Sequence, residues 1–279
     1  MTRLAAAPWF PPCRAVATAP PELNADAIRL FCLPHAGAGA SAYRDWLPLL
    51  APTIEVVPVQ LPGRESRYGE PAHRSASDLV AEMSEPLADR AVGDFALFGH
   101  SMGALLSYEL AHELSALGKP PRHLFVSGLG APHLPPARAP AYNLPDDELL
   151  AVIVELEGTS AEVLAQPELV KMLLPVLRAD LEVCETYVTH RGRLQVPITA
   201  LGGRHDPGVS LDRLRAWGSL TSADFHLAAF DGGHFYLQAT LDDVAAVLMR
   251  RLGESGPPLP APQSIQPPPA ISGYGGVPA

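Results

Sequence analysis

Three residues have the types and spacing for covalent acyl chemistry: Ser101, Asp206 and His234. A serine hydroxyl is a weak nucleophile until a base within hydrogen-bond reach takes its proton. That base in turn needs a carboxylate to fix its tautomer and to stabilise the imidazolium that forms. Ser101 stands in Gly99-His100-Ser101-Met102-Gly103, a G-x-S-x-G pattern, Asp206 follows Arg204-His205, and His234 follows Gly232-Gly233. As a bare pattern G-x-S-x-G is weak, since a Ser/Gly turn matches it by chance. A lone histidine after two glycines is more often a surface loop residue. The case rests on where the chain places all three.

Residues 95–98 (FALF) form an apolar run that passes directly into the G-x-S-x-G turn, and an Ala/Leu-rich helical pattern follows through residue 114. A side chain at the apex of such a strand-to-helix turn sits in a strained conformation that only small neighbours tolerate, and Gly99 and Gly103 are those neighbours. Backbone N–H groups of the new helix then lie beside the hydroxyl, where an oxyanion can be held. Further short apolar runs at residues 28–33, 55–61, 123–130, 197–203 and 225–230 predict strands, separated by helical patterns at 75–91 and 241–252. This alternation predicts an α/β fold with a mostly parallel, doubly wound sheet. In that layout catalytic groups occupy loops at the carboxyl ends of strands, and Asp206 and His234 have that address. The chain order Ser, Asp, His is the one used by α/β-hydrolases.

Two other strand-end loops invite a reading. Residues 34–40 (PHAGAGA) could bring backbone N–H groups close to a ligand as a second oxyanion donor, or could be an ordinary Gly-rich turn; neither G-x-x-x-x-G-K nor G-x-G-x-x-G spacing is present. Ser41 is placed as the N-cap of the helix that follows. In residues 61–67 (LPGRESR), Arg64 and Arg67 face either a ligand or solvent, and solvent is the simpler expectation.

Composition narrows the function. With 279 residues and 47% hydrophobic content, the chain can bury one large core. A net charge of -10 and no basic cluster argue against nucleic acid as partner. Cys13, Cys32 and Cys184 are odd in number and lack C-x-x-C spacing, so neither a disulfide framework nor a metal site is expected, and a cytoplasmic location fits best. No apolar stretch approaches the ~20 residues that span a bilayer, and Pro8, Pro11 and Pro12 interrupt any signal-peptide helix.

The domain expectation is a flexible arm over residues 1–25, an α/β-hydrolase domain over 26–253, and a disordered Pro/Gly-rich tail over 254–279. Removing the arm or tail should then leave stability and turnover unchanged. Within the domain the strand–helix rhythm breaks over about residues 135–192, where two amphipathic helices are predicted, one at 146–156 and one at 167–190 whose apolar stripe runs from Leu169 to Tyr187. They read either as a lid over the active site or as a helical hairpin packed permanently on the sheet edge.

The chain resembles the type II thioesterases of polyketide and non-ribosomal peptide assembly lines. The resemblance covers residues 28–252 and rests on LPHAGAG (33–39), QLPGRESR (60–67), GHSMG (99–103), LPDDELL (144–150), LPVLRAD (174–180) and GGHF (232–235). It implies a stand-alone hydrolase that removes stalled or mis-primed acyl groups from the phosphopantetheine arm of an acyl or peptidyl carrier protein; the serine mechanism itself requires no cofactor, and a monomer is the simplest expectation. It assigns nucleophile, carboxylate and base to Ser101, Asp206 and His234, and oxyanion donors to the backbone N–H groups of Ala36 and Met102. One departure lies at residues 126–132 (VSGLGAP), where a basic residue is expected after Ser-Gly and Leu129 stands instead. Two alternatives stay open: an esterase or acyltransferase using another acyl donor, and an inactive carrier-binding protein.

Overall fold

A computed structural model describes residues 9–11, 22–156 and 165–253. Its centre is a six-stranded sheet, parallel throughout, in the order β2-β1-β3-β4-β5-β6. The strands are β1 (Ile28–Leu33), β2 (Ile54–Pro58), β3 (Phe95–His100), β4 (His123–Ser127), β5 (Ile198–Gly203) and β6 (Phe225–Phe230). The central strands are apolar at nearly every position because both faces are covered. Their side chains alternate between two cores: Phe31, Leu33, Phe95 and Leu97 pack on one face, and Leu30, Cys32, Ala96 and Phe98 on the other. The first core is closed by α2 (Ala76–Arg90) and α3 (Met102–Ala116), the second by α1 (Trp46–Leu50) and α7 (Leu241–Arg251). Pro58, which cannot donate to a ladder, closes the edge strand β2.

Between β4 and β5 the chain inserts α4 (Asp146–Glu155) and α5 (Pro167–Glu185), while the short α6 (Leu211–Arg215) follows β5. The inserted pair has a small core of its own, made of Ala141, Leu149, Ile153, Leu174 and Leu177. The helix α5 ends at Glu185, short of the expected His190. Its apolar stripe is divided: Leu177, Leu181 and Cys184 face one cavity, and Leu169, Met172 and Leu173 face another.

Three expectations need correction. Trp9 does not belong to a loose arm. It is 1% exposed, belongs to the core cluster that includes Phe31, and accepts a 2.7 Å bond from Gln60 N on its carbonyl. Ser41 caps no helix; residues 40–43 form one 3-10 turn, and the Ser41 side chain turns to Glu65. Arg64 and Arg67 are not in solvent, being 6% and 2% exposed: Arg64 meets the buried Asp180, and Arg67 lies over the Trp9 ring and reaches outward to the part-exposed Glu70. The expected tail, residues 254–279, lies outside the described residues.

Candidate active site

The strand order reverses between β1 and β3, and the crevice beyond their carboxyl ends is where ligands bind in open α/β sheets. The turn after β3 holds Ser101 at φ 53° and ψ -118°, a conformation unusual for a side-chain-bearing residue. Close packing forces the flanking glycines. A Cβ on Gly99 would lie 1.9 Å from the Gly103 carbonyl oxygen, and one on Gly103 would lie 2.1 Å from the Leu33 carbonyl oxygen. The Ser101 N–H donates to the Ser127 carbonyl at 2.7 Å, tying the turn to β4. Met102 opens α3, so its N–H belongs to the unpaired, partly positive end of a fifteen-residue helix.

Asp206 and His234 come from the loops after β5 and β6 and meet with Nδ1 to Oδ2 at 2.7 Å, both side chains almost fully buried. The other carboxylate oxygen of Asp206 accepts from the N–H groups of Gly208 (2.8 Å) and Val209 (3.1 Å). The carboxylate is thus oriented by its own loop. With Nδ1 committed to a carboxylate, the imidazole is left with Nε2 as its basic face. Asp231, the other acidic residue near His234 in sequence, is exposed and pairs with His205 at 3.2 Å.

Ser101 and His234 line one cavity of about 490 Å³ together with His35, Ala36 and Phe235; its far wall is Ile153, Leu177 and Tyr187 of the insertion and its flank. A second cavity of about 810 Å³ shares His35 and Phe235 and runs past Gly37, Ser41 and Tyr43 to Leu169 and Met172. Both inserted helices therefore stand over the crevice.

Several residues around the triad carry no signal of their own in the sequence beyond membership of a motif. His100, fully buried, bonds through Nδ1 to Ser127 Oγ (2.8 Å), which meets Tyr236 OH at 2.7 Å. Its ring lies 5.1 Å from that of His234 and 5.8 Å from that of His35. Burial holds His100 well below the usual histidine range, helped by the neighbouring charges of His234 and His35. His35 is lowered to about 4, first by desolvation and then by His234 and Arg64. Two neutral imidazoles thus border the third. Opposite the unexpected Leu129, a guanidinium does arrive, but from elsewhere: Arg213 on α6 packs on Gly130 and donates to the Pro135 carbonyl at 2.7 Å.

Arg64 is explained by a residue 116 positions away. Its Nη1 and Nη2 reach Asp180 Oδ2 and Oδ1 at 2.5 and 2.8 Å. Nothing local in sequence could announce that pairing.

Known proteins fit this picture. The family described as "Thioesterase domain" matches residues 28–252. The protein named linear gramicidin dehydrogenase LgrE of Brevibacillus parabrevis is 40% identical over 234 residues, covering 82% of this chain and 89% of its own. Among solved structures, the RedJ thioesterase from the prodiginine pathway of Streptomyces coelicolor superposes with a TM-score of 0.77 at 41% identity, covering 87% of this chain and 92% of RedJ. The type II thioesterase BorB from the borrelidin biosynthetic cluster gives 0.77 at 38% identity, with 83% and 95% covered. On the fold, the family match over residues 28–252 and this shared sequence, the chain belongs to the thioesterase family of α/β-hydrolase fold, among the type II thioesterases.

Proposed function

We propose that Ser101, His234 and Asp206 act as nucleophile, base and orienting carboxylate in hydrolysis of acyl thioesters carried on the phosphopantetheine arm of an assembly-line carrier protein. The observation that carries this is the buried His234–Asp206 pair standing on the cavity that Ser101 lines. His234 Nε2 takes the Ser101 proton as Oγ attacks the thioester carbonyl, forming a tetrahedral oxyanion held by the N–H groups of Ala36 and Met102. Collapse breaks the C–S bond, and the proton passes from His234 to the departing thiolate. Water then attacks the acyl-serine with His234 again as base, releasing the acid and restoring Ser101.

The leaving group is read from the neighbourhood. Both BorB and RedJ are named for biosynthetic pathways, and two cavities meeting at His35 and Phe235 offer separate room for an acyl group and for a slender arm. The name of LgrE speaks of dehydrogenation, but the loop after β1 lacks dinucleotide spacing, and the serine geometry supports hydrolysis. We place the enzyme as a monomer in the cytoplasm, where Cys32 and Cys184 stay free thiols.

The test is a paired kinetic comparison of the same short acyl group on a carrier protein, on a short thiol mimic and on a simple oxygen ester. Contacts remote from the carbonyl help position it, so kcat/KM should be highest on the carrier. Ser101→Ala should remove acyl-enzyme formation and lower turnover by several orders of magnitude, leaving at most ~10³ to 10⁴ over water. Equal efficiency on carrier and mimic, with the oxygen ester preferred to both, would favour an esterase instead.

A further inference from the structure

The loop that carries Ala36 is gripped from two sides. From the β2 side, Gln60 Oε1 accepts from Ala40 N at 3.1 Å, Glu65 Oε1 accepts from Ser41 N and Oγ at 3.3 and 2.5 Å, and Arg64 Nη1 donates to the Ala38 carbonyl at 3.3 Å. The QLPGRESR stretch is in this sense a clamp on residues 38–41. Gly37 N is held differently. It donates at 2.7 Å to Asp180 Oδ2, on α5 of the insertion, and Asp180 is 1% exposed with Arg64 as its counter-ion. Gly37 has φ +79°, and the place its Cβ would take is filled by Leu177, three residues before Asp180 on α5.

We propose that Asp180 is a positioning residue for thioester hydrolysis: by accepting from Gly37 N, it fixes the Ala36–Gly37 peptide and with it the backbone at Ala36, whose own N–H, in the adjoining His35–Ala36 peptide, is aimed at the oxyanion. This rests on the reading of Ala36 as an oxyanion donor. The carboxylate suits the task because a charge-assisted bond to a backbone N–H is short and directional. Arg64 suits it because burying a carboxylate is costly unless a cation meets it, and Arg64 does so with two bonds. The pair links three segments far apart in sequence: the loop after β1, the loop after β2, and α5. The oxyanion site is complete only when the inserted helix is seated.

Two measurements separate positioning from mere support. The first is the kcat and KM of a short acyl thioester. The second is the rate at which an alkyl fluorophosphonate phosphonylates Ser101, in which the Oγ–P bond forms, fluoride leaves and the phosphoryl oxygen takes the oxyanion position. Asp180→Ala should lower kcat about 30- to 100-fold with KM within about threefold, and slow phosphonylation by a similar factor, since small misplacements of an oxyanion donor cost about that much. Asp180→Asn should fall between, because its amide oxygen can still accept from Gly37 N. Arg178→Met is the control on the same helix: it removes bonds to the Tyr142 and Leu144 carbonyls while Asp180 and Leu177 still seat α5 on the loop, and it should leave phosphonylation within about threefold. If Asp180→Ala does not fold, the double variant Arg64→Met/Asp180→Leu leaves no buried charge unpaired and should show the same slow phosphonylation. Phosphonylation of a folded Asp180 variant at the wild-type rate overturns the proposal. Persistent phosphonylation of Ser101→Ala instead removes the nucleophile assignment, whatever Asp180 does.

Discussion

The two strand-end loops that frame the crevice are built in opposite ways. The turn after β3 is held by its own backbone: Gly99 and Gly103 are in mutual contact four residues apart, and Ala104 N bonds back to the Ser101 carbonyl at 2.9 Å. The loop after β2 is held by side chains from across the chain. Arg64 pairs with Asp180, while Arg67 pairs with Glu70 and lies 4.1 Å over the Trp9 ring. The first kind of loop tolerates no substitution at its own glycines but needs little from elsewhere. The second depends, beyond the local Glu70, on Asp180 and Trp9, each more than fifty residues distant. Groups that react stand on the first kind of support, and groups that aim them stand on the second.

The Asp206 loop belongs with the first kind, since its carboxylate is oriented by N–H groups two and three residues ahead. Asp206→Asn should therefore keep the fold and lose about 10⁴ in kcat, through the wrong tautomer of His234. Asp231→Asn, changing an exposed residue paired with His205, should stay within about twofold of wild type. Steady-state kinetics of the two variants on one acyl thioester decide it; a crippled Asp231→Asn beside an active Asp206→Asn would put the carboxylate in the wrong loop.

Trp9 tests the second kind. Deleting a buried tryptophan costs about 3–5 kcal/mol, and here it also removes the ring beneath Arg67 and opens the core cluster it belongs to. Trp9→Ala, or loss of residues 1–20, should lower the melting temperature by about 10 °C, at ~2–4 °C per kcal/mol for a chain of this size. Retention of ligand-free stability in the truncated protein would show that the loop after β2 holds without its outside partner.

The same division explains what could be read from the sequence. Strand runs, the G-x-S-x-G turn and the strand-end addresses of Asp206 and His234 are local patterns, since each is written within a few residues. The burial of Trp9, Arg64 and Arg67 is not, because a tryptophan among prolines and arginines in a Pro-Gly turn both look solvated until their partners are known. The resemblance to thioesterases marked the QLPGRESR and LPVLRAD stretches as specific, yet only the fold shows that Arg64 of one meets Asp180 of the other. The apolar stripe on α5 was legible as a stripe, whereas its division between two cavities depends on how the helix crosses the crevice.

The smallest effect concerns His35, in the loop after β1, and His100, at the end of β3, which border the crevice. Both are held neutral in the folded protein, His100 by burial and His35 by desolvation with His234 and Arg64 nearby. In the unfolded chain each takes up a proton near pH 6.5. Between that value and about 4, where His35 itself titrates in the fold, the unfolded state binds more protons than the folded one. Stability must then rise with pH through this window and fall as the solution is acidified. Each histidine contributes at most about 1.4 kcal/mol per pH unit. His35, which touches both cavities, should contribute less than the fully buried His100. Denaturation midpoints measured from pH 4 to 8 should show a slope below pH 6.5 that His35→Gln reduces, with little change above pH 7. An unchanged slope in that variant would mean that His35 takes its proton in the fold as readily as in the open chain, and that the crevice between β1 and β3 is wetter than its packing implies.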